Sequence, residues 1–185
     1  MSVSKDMNST TTTATIDARI IPSNTTTWLT PRWLLDSLGA FDLDPCCPPV
    51  MPWQTAKRMI HYPREAGQAG TEIDQIGVED GLLIPWFGRV WLNPPYGREI
   101  EDWMKKMAEH NNGVALVFAR TDAKWFQRYV FGKATSLLFL NKRVSFCNPD
   151  GTKGGRSASP SVLAFYGGEQ IGLHHLQALG TMVNL

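Results

Sequence analysis

The chain has 185 residues, 43% of them apolar, which suits one domain with a core of ordinary size. Its formal net charge is +1, so no global field draws in a polyanion, and any contact with nucleic acid has to come from a local basic patch. Cys46, Cys47 and Cys147 are too few and too badly spaced for a disulfide framework; no C-x-x-C pair suggests a metal, and no run approaches the ~18 apolar residues of a membrane span.

Residues 1–24 are rich in Ser, Thr and Asn and read as a flexible tail, ahead of a single domain over residues 25–185. The opening lacks the apolar stretch of a signal peptide, so a reducing cytoplasm is the expected location. In "TTTWLTPRWLLDSLG", Thr30 caps a short helix, Pro31 takes its first position and Gly39 closes it. "AFDLDP" reads as a strand stopped by Pro45, "KRMIHY" as a short strand, and "REAGQAGTEIDQIG" as loop. "GRVWL", residues 88–92, is a compact apolar strand that runs into Asn93-Pro94-Pro95-Tyr96. Neither proline can donate to a ladder, so the strand ends there with an asparagine and a tyrosine exposed at the break.

Ile100, Trp103, Met104, Met107 and Ala108 then recur at helical spacing and form one apolar face. "VALVFA" is apolar on both faces, as a central parallel strand is. "DAKWFQRYV" reads as a helix and "ATSLLFL" as a strand. "KRVSF" and "SVLAFY" read as late strands around a turn-rich loop, "CNPDGTKGGRSASP". "EQIGLHHLQAL" adds a last helix before a short tail or strand. Strands alternating with helices argue for an α/β fold with a largely parallel sheet. Right-handed crossovers put the strand C-terminal ends on one edge, where open sheets bind ligands. Asp44-Pro45 and Asn93-Pro94-Pro95-Tyr96 are both expected just past strand ends and therefore on that edge.

The proline turn suits one kind of chemistry. An exocyclic amine on a purine is a poor nucleophile, because its lone pair is delocalised into the ring. It attacks when both N–H groups are held by acceptors that favour a tetrahedral nitrogen. The Asn93 side-chain carbonyl can accept one, and the Pro94 carbonyl, free of a ladder partner, can accept the other. Fixed φ angles at Pro94 and Pro95 preorganise those acceptors, Tyr96 offers a flat face to a base, and Gly97 lets the backbone come close. A sulfonium methyl group is the matching electrophile, since no strong general base is then needed. The same four residues also make an ordinary proline turn with an aromatic lid. Carboxylates can hold the ammonium or ribose hydroxyls of S-adenosylmethionine. Asp44 is the best placed, Asp80 can take its adenine amino group, and Trp28 with Thr30-Pro31 can cover its methionine end. The Gly-x-Gly loop of dinucleotide-binding folds is absent after Asp44.

"WLTP", "FDLDPC", "EDGL..PWFGRVWLNPPYG", "FART" and "LNKRVSF...G......PSVLAFYG" occur in that order. Together, from about Trp28 to Gly168, they resemble the phage-type DNA N-6-adenine methyltransferase (Dam) family. The resemblance implies a Rossmann-like class I methyltransferase sheet, mostly parallel with a late antiparallel hairpin and helices on both faces. It implies a phage- or prophage-encoded enzyme working in a bacterial host on double-stranded DNA, with S-adenosylmethionine as cofactor and no metal. Asn93, Pro94, Pro95 and Tyr96 match the family's catalytic motif, Asp44, Pro45 and Cys46 its donor-binding motif, and Thr30-Pro31 the motif that packs on the methionine part. Asp80 is a weaker match for the acid that holds the donor's adenine. Cys47-Pro48 departs from the family's looser continuation, and the ribose-binding acid has no assignment beyond a guess at Glu65.

A base inside a duplex has to flip out to reach such a turn. Arg120, Lys142, Arg143, Lys153 and Arg156 are the candidates to grip phosphates, with Gly154 and Gly155 suiting a mobile loop; they suit a plain solvated surface equally well. The chain leaves little room for a recognition domain, so base readout is loose or is borrowed from a dimer partner. Two other readings stay open: transfer to another sp² amine (a protein glutamine, an RNA base or cytosine N4), or a nucleic-acid-binding module without turnover.

Overall fold

The computed structural model describes residues 28–62, 79–157, 159–168 and 173–185. The expected tail, the loop over residues 64–77 with Glu65, and the start of the last expected helix lie outside them. In chain order the elements are α1 (Arg32–Leu38), β1 (Leu43–Cys47), β2 (Arg58–His61), β3 (Val90–Leu92), α2 (Ile100–His110), β4 (Gly113–Phe118), a π-helical turn (Phe126–Phe131), β5 (Ser136–Leu140), β6 (Ser145–Cys147), β7 (Lys153–Arg156), β8 (Ser161–Tyr166), a 3₁₀ helix (Leu173–Leu179) and β9 (Gly180–Asn184).

Among the described residues, seven strands form one sheet in the order β2-β1-β3-β4-β8-β5-β9. β1 is parallel to β2 and β3, and β3 is parallel to β4. β8 is antiparallel to both β4 and β5, so β5 points the same way as β4, and β9 runs back along β5. Five strands thus share one direction and two oppose it, an α/β fold with a mostly parallel mixed sheet. The chain steps from β1 outward to β2, then crosses back to place β3 on the other side of β1. The sheet therefore changes direction of travel between β1 and β3, and open sheets have their ligand crevice at such a point.

Alternation along the strands divides the buried side chains into two cores. Val90, Leu92, Ala115, Val117, Val162 and Ala164 join Trp103, Met104 and Met107 of α2. Trp91, Val114, Leu116, Leu163 and Phe165 join Leu34, Leu35 and Leu38 of α1. The helical spacing of Trp103, Met104 and Met107 is thus the reason α2 buries one face. Arg89 donates to the carbonyls of Leu38 and Ala40 (2.8 and 3.1 Å), which closes the end of α1 beside Gly39 at φ 81°.

Three expectations need correction. Thr30 does not cap α1: Pro31 holds the cap position without a side-chain hydrogen bond, and Thr30 is buried. Pro45 does not stop β1. The strand continues to Cys47 through a register break, with three steps on β1 from Asp44 to Cys47 against two on β2 from Met59 to His61. A bulge of this kind tolerates a proline, because its missing N–H falls where the ladder is already interrupted. Asp44 consequently lies inside the strand. The late hairpin is not formed by the two apolar strands. β8 enters the main sheet, and β6 pairs instead with β7, inside the stretch expected to be a mobile loop. The turn that closes it is Asn148–Thr152, where Asp150 Oδ1 accepts from the Thr152 amide (2.8 Å) and Gly151 sits at φ 81°. The chain end agrees with expectation: a helix, of 3₁₀ type, leads into a strand, β9, at the sheet edge. Among the described residues, no helix is long and apolar enough to cross a membrane.

Trp103 is fully buried, with Tyr62 edge-on at 5.6 Å and Trp86 stacked at 6.4 Å. Trp103→Ala should cost about 3–5 kcal/mol, read as a lower urea midpoint in equilibrium unfolding; a loss under about 1 kcal/mol would show that α2 is not seated on this residue.

Candidate functional site

β1 and β3 share one register pair, Leu43 with Val90, and beyond it the two strands are no longer laddered. A narrow cleft with about 220 Å³ of empty space, counting its open mouth, lies there. Asp44 and Cys46 line it from β1, Trp91 and Asn93 from β3 and its end, Trp28, Leu29 and Thr30 from the segment before α1, and Pro48, Met51 and Thr55 from the β1–β2 connection. The gap is bridged at one point, where the Cys46 thiol donates to the Asn93 carbonyl at 3.3 Å. Burial, with Asp44 as the second cause, pushes that thiol well above its usual range, so its proton stays available for this bond.

The Asn93 side chain is held by one end only. Its Nδ2 donates to the Trp28 carbonyl at 3.4 Å, while Oδ1 is buried with no hydrogen-bond partner. Thr30 Oγ1, on a residue 2% exposed and lining the same cleft, is likewise without one. Native structures leave few buried polar atoms unsatisfied, and each costs about 1–3 kcal/mol. Trp53 Nε1, Trp103 Nε1 and Ser161 Oγ are also unpartnered, but Asn93 and Thr30 are the two such residues that line this cleft. No hydrogen bond to the Pro94 carbonyl is found among the described residues.

Asp44 is 3% exposed. Its Oδ2 accepts from Thr55 Oγ1 at 2.5 Å and its Oδ1 from the Cys46 amide at 3.2 Å. Burial raises its carboxyl from 3.8 to about 6, against the opposing pull of those two bonds and of His61. Thr55 was not foreseen from the sequence. It comes from an irregular stretch, and only the packing of the β1–β2 connection places it beside Asp44.

Tyr96 is less open than its place after two prolines suggests. Its ring stacks on Phe118 with centroids 4.0 Å apart and planes 15° from parallel, and its hydroxyl donates to the Leu116 carbonyl at 3.2 Å. Burial pushes its phenol up, so it stays un-ionised. Asp80 does not line the cleft. Its Oδ1 accepts from the Leu82 amide at 2.8 Å, at the head of a turn whose Gly81 lies so tight on the Pro45 carbonyl that an added Cβ would come within 1.8 Å of it. Lys106 of α2 donates to the carbonyls of Leu82 and Ile84 (2.5 and 2.7 Å) and ties that turn to α2.

Arg120, Lys142, Arg143, Lys153 and Arg156 are all exposed. The Arg120 guanidinium lies over the Phe118 ring at 5.9 Å. Arg143 donates to the Ser157 carbonyl at 3.5 Å, across the arms that flank the β6–β7 hairpin. That hairpin is joined to the cleft wall: Leu29 and Cys147 exchange backbone hydrogen bonds (3.0 and 2.9 Å), and the Trp28 ring meets Phe146 at 6.4 Å. Lys153 and Arg156 therefore sit on a strand, not on a mobile loop. The structure thus gathers Trp28, Thr30, Asp44, Cys46 and Asn93 in one cleft. Pro31, Pro45, Asp80, Pro94, Pro95 and Tyr96 are outside its lining. Among the described residues no cluster of His, Cys, Asp or Glu could hold a metal ion. Compared with known proteins, the chain matches no family model, no curated protein and no solved structure.

A carboxyl raised by burial favours the fold at low pH. That contribution is complete below about 3.8 and is lost as pH rises through about 6. Between about pH 4 and pH 7 the wild type should lose about 2 kcal/mol relative to Asp44→Asn, measured by urea unfolding across that range; parallel profiles for the two proteins would contradict the burial of this carboxyl.

Proposed function

We propose that the chain is an S-adenosylmethionine-dependent methyltransferase acting on N6 of adenine in double-stranded DNA, on a Rossmann-like sheet of the class I methyltransferase type with helices on both faces. The observation that carries this reading is the buried, unpartnered Asn93 Oδ1 beside a cleft at the β1–β3 switch point. An acceptor left open there, followed by two prolines that fix the next carbonyl, is what an exocyclic amine needs.

The cleft's residues fit a small cationic donor. Asp44 is largely ionised at neutral pH and would take an ammonium or a ribose hydroxyl. Thr30 Oγ1 would satisfy a carboxylate or hydroxyl, Trp28 would cover the methionine end, and Cys46 would border the adenosine; Pro31, Pro45 and Asp80 lie outside the lining and would not touch the donor in this arrangement. When bound, S-adenosylmethionine supplies a methyl group activated by its sulfonium. Asn93 Oδ1 and the Pro94 carbonyl draw the two N–H groups of the acceptor amine and restore its lone pair to nitrogen. The extra proton left on nitrogen after transfer goes to water, because neither acceptor is basic enough to keep it. Cys46, a thiol and not a thiolate, positions the Asn93 carbonyl and does not compete as a nucleophile. The cleft as it stands is too narrow to hold the donor, so donor binding moves its cover, Trp28 or the Pro48–Thr55 connection, outward. Arg120, Lys142, Arg143, Lys153 and Arg156 grip phosphates around a flipped adenine.

Labelled donor incubated with unmethylated DNA, with RNA and with protein tests the reading. Label recovered as N6-methyladenine supports it; label on another amine moves the acceptor, and DNA binding without transfer leaves only a binding module. Asn93→Ala should reduce transfer at least about a hundredfold while donor affinity, by calorimetry, stays within about twofold. Asp44→Ala should instead raise the donor's Kd by about tenfold or more. Near-normal turnover in the first variant, or an unchanged Kd in the second, would remove that residue from its assigned place.

A further inference from the structure

Tyr96 is held on two sides by a single strand. Phe118, at the end of β4, stacks flat against its ring at 4.0 Å and 15°. Two residues earlier on the same strand, the Leu116 carbonyl accepts from its hydroxyl at 3.2 Å. Aromatic pairs generally prefer offset or edge-on arrangements with centroids ~4.5–7 Å apart, so a close, near-parallel contact reflects constraint from both partners. The stack covers one face of Tyr96, and the hydroxyl bond fixes the ring's orientation. Phe118 is itself half-buried and carries the exposed Arg120 over its ring at 5.9 Å. The layers thus run from a cation at the surface to the turn that follows Asn93.

We propose that Phe118 is a positioning residue for the acceptor base: it backs Tyr96 so that the remaining face of Tyr96 receives a planar nucleobase. This rests on the reading that the Asn93–Tyr96 turn presents an exocyclic amine. Stacking on an aromatic face tolerates every base, so the pair holds the base without selecting it. Selection falls to Asn93 Oδ1 and the Pro94 carbonyl, which accept from an amine and repel a carbonyl oxygen. A phenylalanine serving only as packing would tolerate leucine with little loss, because the two side chains are both apolar and of comparable bulk.

The test compares Phe118→Leu and Phe118→Tyr with the wild-type protein in two measurements. One is labelled methyl transfer to unmethylated duplex DNA; the other is quenching of 2-aminopurine in a single-stranded oligonucleotide. Phe118→Leu should lower kcat/KM for DNA roughly tenfold, chiefly through KM, and weaken the quenching, with donor affinity unchanged. Phe118→Tyr, which restores a flat ring, should recover both. Wild-type kinetics and quenching in Phe118→Leu would overturn the assignment, as would absence of quenching by the wild-type protein. A wild-type protein that quenches but transfers no methyl to DNA would overturn the proposed reaction instead, and loss of that quenching in Phe118→Leu would still support the platform.

Discussion

The parallel pairing of β3 between β1 and β4 is the constraint from which the site follows. It brings the end of β3 beside the end of β1 at the point where the sheet changes its direction of travel. Past Leu43 and Val90 the two strands part, because β1 bulges at Pro45 and β3 runs into two residues that cannot donate. What remains between them is a gap lined by one carboxylate and one amide. The thiol of Cys46 ties the gap's two sides together through the Asn93 carbonyl. Prolines at 45, 94 and 95 thus shape the cleft by withholding hydrogen bonds.

Such a gap is costly to keep. Asn93 Oδ1 and Thr30 Oγ1 are both buried without partners, and Asp44 is buried with its carboxyl raised to about 6. The surrounding structure offsets these costs through fully buried Trp91 and Trp103 on opposite faces of β3 and the apolar run of β4 and β8. A rigid surround is also what holds acceptors in place before a ligand arrives, and preorganised acceptors are the larger part of stabilising a developing charge. The same logic extends to Tyr96, whose ring is fixed by Phe118 and the Leu116 carbonyl before any base could meet it.

Much of this was legible in the sequence where one local signal dominates. The spacing of Trp103, Met104 and Met107 announces α2, the apolar run from Val114 to Phe118 announces a central strand, and the Asn93 turn announces an interrupted ladder. The features that were hidden depend on tertiary context. Pro45 reads as a strand end, and only the bulge against β2 shows why it is accommodated. Thr30 reads as a helix cap, and only the tertiary fold shows that it is buried, with its hydroxyl unpartnered, on a residue that lines the cleft. β7 is Lys-Gly-Gly-Arg, with no strand-forming side chain at all; its pairing comes from the Pro-Asp-Gly turn at residues 149–151, a signal that suits a plain loop equally well. Thr55 beside Asp44 had no local signal.

The central claim is that the gap between β1 and β3 seats a methyl donor with the acceptor amine against Asn93. A crystal structure of the chain with S-adenosylhomocysteine and an adenine-containing oligonucleotide addresses it most directly. The account predicts the spent donor against Asp44 and Thr30, and an adenine N6 about 3 Å from Asn93 Oδ1. A donor bound elsewhere, or a base that leaves Asn93 Oδ1 without a partner, would contradict it.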